Sequence, residues 1–438
     1  MKISIRKIFL LAGLAVYFAL AFFGVFLTSV CPNAVLYMLP IIAILFFAAS
    51  SGWKIRRFFL PYYACWCAFC GLILIGTFII KLDNLFASAC IIECVIAVCF
   101  LCGRTDWIGT VKKMLLFLTG MHAFFTFFFW VFPGLYPIMI DIYGGVPSGT
   151  SGGTAGYRAG ITGHYSHNGI YISVFLILLF ALFFVKDRAK KENKQEKLLL
   201  PIGIILAGLA LLLTGKRGVL VWSIASVVIT YLIISKKKLK SIAKVGTDAL
   251  LAVAFLIAMT ESNSEFGFVF TRFELIGKDA ASRERLAMWE LALDAFKENP
   301  IFGSGFWSFR ALYKKELAGI FRAGRGFLEM DAHNVYLQVL CETGIVGFVI
   351  YLLAVGFMLF RTIKLVRQLQ QAENPNIRFG AVFSLCIQIF YLLYSLSGNC
   401  LYDIVFCFYG LAMAITTSLS YYVKHYSGKA CSDLIKDI

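Results

Sequence analysis

Long apolar runs, separated by short polar and charged breaks, recur along almost the whole of the 438-residue chain. They fall near 8–30, 34–50, 58–80, 84–102, 114–134, 167–185, 198–214, 218–235, 245–260, 335–360, 379–398 and 402–423. A helix needs roughly 17–25 residues to cross the hydrocarbon of a bilayer. Only a helix satisfies every backbone group inside one lipid-embedded segment without neighbouring strands. The pattern therefore predicts an all-α integral membrane protein with about twelve transmembrane helices. Two polar stretches are longer than the rest: residues 144–163, rich in Gly, Ser and Pro, and residues 261–333. The chain accordingly divides into five N-terminal spans (1–134), a first loop (135–166), spans six to nine (167–260), a long loop (261–333), spans ten to twelve (334–424) and a tail (425–438).

Composition agrees, because 60% of residues are apolar and 15% charged, too few charges to coat a soluble protein of this size. The formal charge of +17 raises the question of nucleic acid, but the cations come in short clusters beside the apolar runs, so no nucleic-acid partner is expected. Most of the 41 Lys and Arg fall on alternate breaks, including 186–197, 236–244, 361–378 and the tail. By the positive-inside rule that side is cytoplasmic, with both termini inside, the long loop outside and membrane lipid all around. The first run is too long for a signal-peptide core and shows no cleavage site, so it is read as the first span. Most of the 13 cysteines lie inside apolar runs as small hydrophobes. Cys65-x-Cys67-x-x-Cys70 has a metal-like spacing but no partner ligands nearby, so no metal, cofactor or disulfide framework is expected.

Cations on the outward side oppose the orientation rule and the cost of charge near hydrocarbon. Lys216 and Arg217 sit in Leu213-Thr214-Gly215-Lys216-Arg217-Gly218, a tight break between two spans. They either snorkel to headgroups or face an anionic ligand, for which a guanidinium offers a planar fork of donors. Arg158 precedes Gly160 and the run His164-Tyr165-Ser166-His167-Asn168 at the mouth of the sixth span, where either His is equally readable as an ordinary interfacial residue. In the long loop, Leu286, Trp289, Leu293 and Phe296 recur at helical spacing up to Asn299-Pro300. That predicts an amphipathic helix lying on the membrane and holding Arg285, with Arg283 nearby, over the bundle; a simply solvated Arg285 is the alternative. The loop closes with Asp331-Ala332-His333-Asn334-Val335-Tyr336, which puts His333 at the mouth of the tenth span, where a neutral imidazole can accept a hydroxyl proton. Gly344 and Gly347 are read as allowing close helix packing.

Taken in order, Arg158-x-Gly160 with Asn168, Thr214-Gly215-Lys216-Arg217-Gly218, Arg285-x-x-x-Trp289 with Pro300-x-x-Gly303-x-Gly305, and His333-Asn334-x-Tyr336-Leu337 with Glu342-x-Gly344-x-x-Gly347 resemble the O-antigen ligase and O-antigen polymerase (WaaL/Wzy) superfamily. The resemblance covers the last two thirds of the chain and says little of the first five spans. It implies a GT-C-like, metal-independent, inverting glycosyltransferase of the bacterial cytoplasmic membrane. The donor it implies is a glycan linked to undecaprenyl diphosphate, and the acceptor a second glycan. The residues it implies as catalytic are His333, Arg285 and Arg217, with Arg158, Lys216, Asn168, Asn334, Tyr336 and Arg283 binding substrate. Glu329 and Asp331 are the carboxylates nearest His333 in sequence and are expected to orient its ring. The segment after Gly347 lacks the threonine pair common in ligases, which leaves ligase and polymerase both open. Two other classes compete. A lipid-linked oligosaccharide flippase or other transporter should show polar groups deep in several spans, where Glu93 is the main exception here. A multi-span peptidoglycan polymerase should use an acidic base in its outward loop, for which Glu261, Glu265, Glu274, Asp279 and Glu316 offer no preferred candidate.

Overall fold

The computed structural model describes residues 4–55, 60–80, 85–143, 156–185, 194–235, 280–321 and 329–426. All regular elements among them are helices. In chain order these are α1 (Ile5–Val30), α2 (Asn33–Ser50), α3 (Pro61–Ile80), α4 (Leu85–Leu101), α5 (Trp107–Val131), α6 (Pro137–Tyr143), α7 (Tyr165–Val185), α8 (Lys194–Leu213), α9 (Arg217–Ile234), α10 (Ala280–Glu298), α11 (Ser308–Glu316), α12 (Ala318–Phe321), α13 (Val335–Gln368), α14 (Pro375–Tyr394) and α15 (Val405–Tyr426).

Eleven of these helices fall on eleven of the twelve expected spans, and the twelfth, at 245–260, lies outside the described residues. Seven helices are long and apolar enough to cross a membrane, and α2, α3, α4 and α8 contribute shorter apolar segments. Their outward surfaces carry large exposed side chains such as Phe117, Phe124, Ile205, Ile224 and Phe360, a distribution that suits lipid rather than water. α14 and α15 are the inner helices, each with 83% of its apolar window buried, whereas α9 has 28% and stands at the rim. α14 packs against α7, α9, α13 and α15, so it is the axis around which the second half of the chain is assembled.

Two boundaries differ from the sequence reading. α5 starts at Trp107, seven residues early, and takes in Lys112, whose Nζ donates to Asn376 Oδ1 at 2.6 Å. α13 continues to Gln368, carrying Arg361, Lys364 and Arg367 on its last turns instead of leaving them in a link. Both extensions have one cause. The helix outlasts the apolar run because cations beyond the hydrocarbon edge keep its backbone bonded while their side chains reach water or a neighbour, as Arg361 Nε does at 2.9 Å from Ser420 Oγ.

At 34 residues, or about 51 Å at 1.5 Å per residue, α13 is longer than a bilayer core. It is broken at Gly344, where φ is 62° and ψ −169°, a conformation essentially reserved for glycine. Gly344 is thus a break, and the close approach its sequence setting suggests is to a loop turn and not to another helix. A Cβ there would collide with the backbone of Ile301 and Phe302, and one at Gly303 with that of Glu342 and Gly344, so the two turns interlock through their glycines. Gly344→Ala is expected to cost on the order of 2 kcal/mol or more and to lower the thermal midpoint of the detergent-solubilised protein. Gly356→Ala, with open space at its Cβ, should leave the midpoint unchanged. Equal midpoints for the two variants would contradict the interlocked break.

Candidate functional site

The turn that leaves α14 at Tyr394 gathers four other elements. The Val335 N–H donates to Ser395 O at 2.9 Å and the Tyr336 hydroxyl to Leu392 O at 2.8 Å, which docks the start of α13. Trp222 Nε1 donates to Ser397 Oγ at 2.9 Å, and a Cβ at Gly218 would stand 3.2 Å from the same oxygen, which docks the start of α9. α10, which carries Arg285, packs against α13, and α7, which opens at Tyr165, packs against α14. The segments bearing Arg217, Arg285 and His333, read from the sequence as one pocket, thus meet at the loop-side end of α14.

Lys216 and Arg217 stand at the cap and first turn of α9. Gly215, at φ 67°, makes the tight turn out of α8, and the turn leans on Gly169 of α7, whose added Cβ would lie 3.3 Å from Lys216 Cβ. The Lys216 side chain makes no capping bond and Thr214 Oγ1 accepts from the Lys216 N–H at 3.4 Å, so this helix N-terminus and its two cations present positive charge together. A helix N-terminus of this kind favours an anion. Lys216 Nζ lies 5.3 Å from the Tyr165 ring centroid, while Arg217 is half-buried with its Nη1 shielded from solvent.

α10 is rotated so that protein covers only part of its apolar stripe. Glu284, Met288, Ala292 and Ala295 are buried and Trp289 and Phe296 half-buried, whereas Leu286 and Leu293 are exposed. The rotation follows from a polar anchor that periodicity does not count: Tyr313 of α11 donates to Glu284 Oε1 at 2.5 Å. It leaves Arg285 half-buried and Arg283 exposed at the start of the helix.

His333 is half-buried and has φ 52°, the left-handed region that a residue with a Cβ rarely enters. Its predecessor holds it there. Ala332 N–H donates to Gln338 Oε1 at 2.9 Å, and Ala332 O accepts from Trp289 Nε1 at 3.0 Å. Its successor Asn334 caps α13, accepting from the N–H groups of Tyr336 and Leu337. The carboxylates expected to orient the imidazole are engaged elsewhere. Asp331 takes a two-pronged bond from Arg310 at 2.7 Å on each oxygen, and Glu329 pairs with Lys314 at 3.2 Å. Arg310 also stacks 4.4 Å from the Trp307 ring, and despite burial Asp331 raises its pKa further.

Arg158 ends a short 3-10 turn, Gly156–Arg158, beside the mouth of α7. Asn168, fully buried, donates from Nδ2 to Arg158 O at 3.0 Å and to Thr126 Oγ1 at 2.8 Å. Gly160, at φ 55°, is needed because a Cβ there would press on the Asn168 amide at 3.0 Å.

Sequence reading missed Asp403 and gave Glu342, quoted in a motif, no role. Asp403 Oδ1 lies 3.2 Å from His167 Nε2, and the His167 and His164 rings are 5.0 Å apart. Although burial alone would raise the Asp403 carboxyl, His167, the Ile404 N–H and His164 hold it down at about 2. Burial, with His167 and Lys216 adding to it, pushes the His164 imidazole down to about 3 against the pull of Asp403. Glu342, buried below the break in α13, accepts from the Phe309 N–H at 3.2 Å, Gln338 Nε2 at 3.1 Å and the Tyr402 hydroxyl at 2.7 Å. The two His were visible as a pair; nothing in the local sequence ties them to Asp403 across more than two hundred positions.

The His164 shift has a sign. Below the ordinary value of about 6.5 the unfolded chain binds a proton at His164 that the folded chain refuses until about pH 3, so stability falls as pH drops through that window and is unaffected above it. The thermal midpoint in detergent should fall less steeply with acid in His164→Gln than in the parent between pH 6.5 and 4, the two curves running parallel above pH 7. Equal slopes in the acid limb would contradict the burial of a neutral imidazole.

Comparison with known proteins shows a likeness over part of the chain. The chain is similar to an uncharacterized protein of Haemophilus influenzae, 28% identical over 264 residues, which covers 56% of this chain and 64% of that relative. The match therefore spans less than two thirds of the relative's length. Residues 202–352 match the O-antigen ligase family, and they include Lys216, Arg217, Arg283, Arg285, His333, Asn334 and Tyr336, whereas Arg158, Asn168 and Asp403 lie outside them. The chain is thus a helical protein with seven candidate membrane spans among the described residues, and its residues 202–352 are similar to the O-antigen ligase family.

Proposed function

We propose that the protein transfers a glycan from undecaprenyl diphosphate to a hydroxyl of a second glycan at the outer face of the bacterial cytoplasmic membrane, without a metal ion and with inversion at the transferred anomeric carbon. The observation that carries this reading is the convergence of the Arg217, Arg285 and His333 segments on the end of α14, all three within the stretch that matches the O-antigen ligase family. Ligase and polymerase versions of the reaction share the donor and differ in the acceptor.

The chemistry follows from charge. As the bond between the anomeric carbon and the phosphate oxygen breaks, negative charge grows on the diphosphate. Cations already fixed in place stabilise that growth more than they stabilise the bound donor. In this reading Arg217 and Arg285 hold the leaving diphosphate, helped by Lys216 and the positive N-terminal end of α9. Arg158 adds a cation from the mouth of α7, and Arg283 supplies charge at the rim. His333 takes the acceptor's hydroxyl proton as its oxygen attacks the anomeric carbon. Asn334, Tyr336 and Asn168 serve the site by fixing backbone: the first two seat the start of α13, and Asn168 ties down the turn of Arg158.

Two sets of substitutions test this, read as transfer of a lipid-linked glycan by the purified full chain. Arg217→Ala, Arg285→Ala and His333→Ala should each lower turnover by about a hundredfold, corresponding to roughly 3 kcal/mol of lost transition-state stabilisation. Cys67→Ser, at an exposed position on α3, should leave it unchanged. Near-parental turnover in all three would overturn the assignment. Trp289→Phe removes the donor that pins Ala332 O, so turnover should drop while donor affinity is kept; a loss of affinity with full turnover would place Trp289 against the donor instead.

A further inference from the structure

The turn that joins α10 to α11 carries two adjacent large apolar side chains on the loop surface. Ile301 is 57% exposed and Phe302 70% exposed, while Asp294, Lys297 and Glu298 stand exposed on the preceding turns of α10. Hydrogen bonds to the break in α13 fix this turn in place. Ile345 N–H donates to Pro300 O at 2.9 Å, Val346 N–H to Ile301 O at 3.3 Å, Ser304 N–H to Cys341 O at 2.9 Å and Gly305 N–H to Glu342 O at 2.8 Å. With Gly303 and Gly344 interlocked as well, Ile301 and Phe302 are held rigidly at the head of the apolar part of α13.

Below them on α13, exposed Ile345, Val349, Leu352, Leu353, Phe357 and Phe360 follow at helical spacing of three and four. On a helix of this length and hydropathy that stripe faces acyl chains. Ile301 and Phe302 continue the stripe past the break, onto an element that is not itself a span. We infer that Ile301 and Phe302 insert among the acyl chains of the leaflet on the loop side and anchor α10 and α11 to the bilayer surface. The occupant is bulk phospholipid, because the apolar pair is continuous with a lipid-facing surface and flanked by charges suited to headgroup depth. The anchor belongs to the turn and not to the Leu286/Leu293 face of α10. It also sets the height of Arg285 relative to the membrane, and it stands whether or not the glycosyltransferase reading does.

The test places a photoreactive benzoylphenylalanine at position 302 of the full chain in phospholipid vesicles, with the same probe at Phe360 as a lipid-facing reference and at exposed Lys315 as a loop reference. After irradiation, phospholipid adducts at 302 should match those at 360 and exceed those at 315 several-fold. An adduct yield no higher than at 315, a cross-linked dimer of the chain, or a polyprenyl adduct in place of phospholipid would each overturn the anchor. The variant keeps an aromatic side chain at an exposed position, so its fold is preserved, and the readout does not depend on activity.

Discussion

Positive charge fixed at the edge of a low-dielectric layer is the constraint around which the loop-side half of this protein is arranged. Lys216 and Arg217 cannot be held there unless the backbone beneath them is rigid and an anion or water answers their charge. The turn at the end of α14 supplies the rigidity. It accepts the Val335 N–H at Ser395 and the Trp222 indole at Ser397, and it lets α9 approach through Gly218. Because α14 is buried along most of its length, that turn inherits the stiffness of the bundle core.

A second rigid unit faces it across the break in α13. Glu342 joins Gln338, Tyr402 and the first turn of α11; Gln338 and Asp331 join Ala332; Arg310 joins Asp331 and Trp307. A buried network in which each member is bonded specifies one geometry, and a half-bonded one would not. Its product is the strained φ of His333, held between two restrained neighbours. The opposite His167–Asp403 pair lies one residue along from Tyr402, so the two polar clusters share a short connection between α14 and α15.

The spans were legible because lipid imposes one rule everywhere: an apolar run of sufficient length must close its own hydrogen bonds. Eleven helices appear where the runs predict them, with end errors at Trp107 and Gln368 where cations extend a helix beyond its apolar part. The long loop was less legible. Periodicity put Leu286, Trp289, Leu293 and Phe296 on one apolar face of α10 lying on the membrane, but it does not count the buried bond between Glu284 and Tyr313 that helps set which face meets protein. Gly344 reads the same in sequence whether it packs or breaks a helix; only the opposing turn at Gly303 decides. Asp331 was visible as a carboxylate near His333, yet its partner Arg310 comes from a separate helix. Asp403 gave no signal, since what matters about it is a neighbour supplied by α7. Lys216 and Arg217 were legible for a physical reason: two adjacent cations in a tight break between apolar runs stand out against the cost of charge near hydrocarbon.

The account rests on one claim, that Arg217, Arg285 and His333 face a single bound diphosphate-linked glycan at the end of α14. A structure of the full chain determined by electron cryo-microscopy with a non-reactive lipid-linked donor analogue measures this directly. The account predicts diphosphate density between the first turn of α9 and Arg285, with the anomeric carbon turned toward His333. Donor density elsewhere in the bundle, with those three side chains facing only one another or lipid, would contradict it.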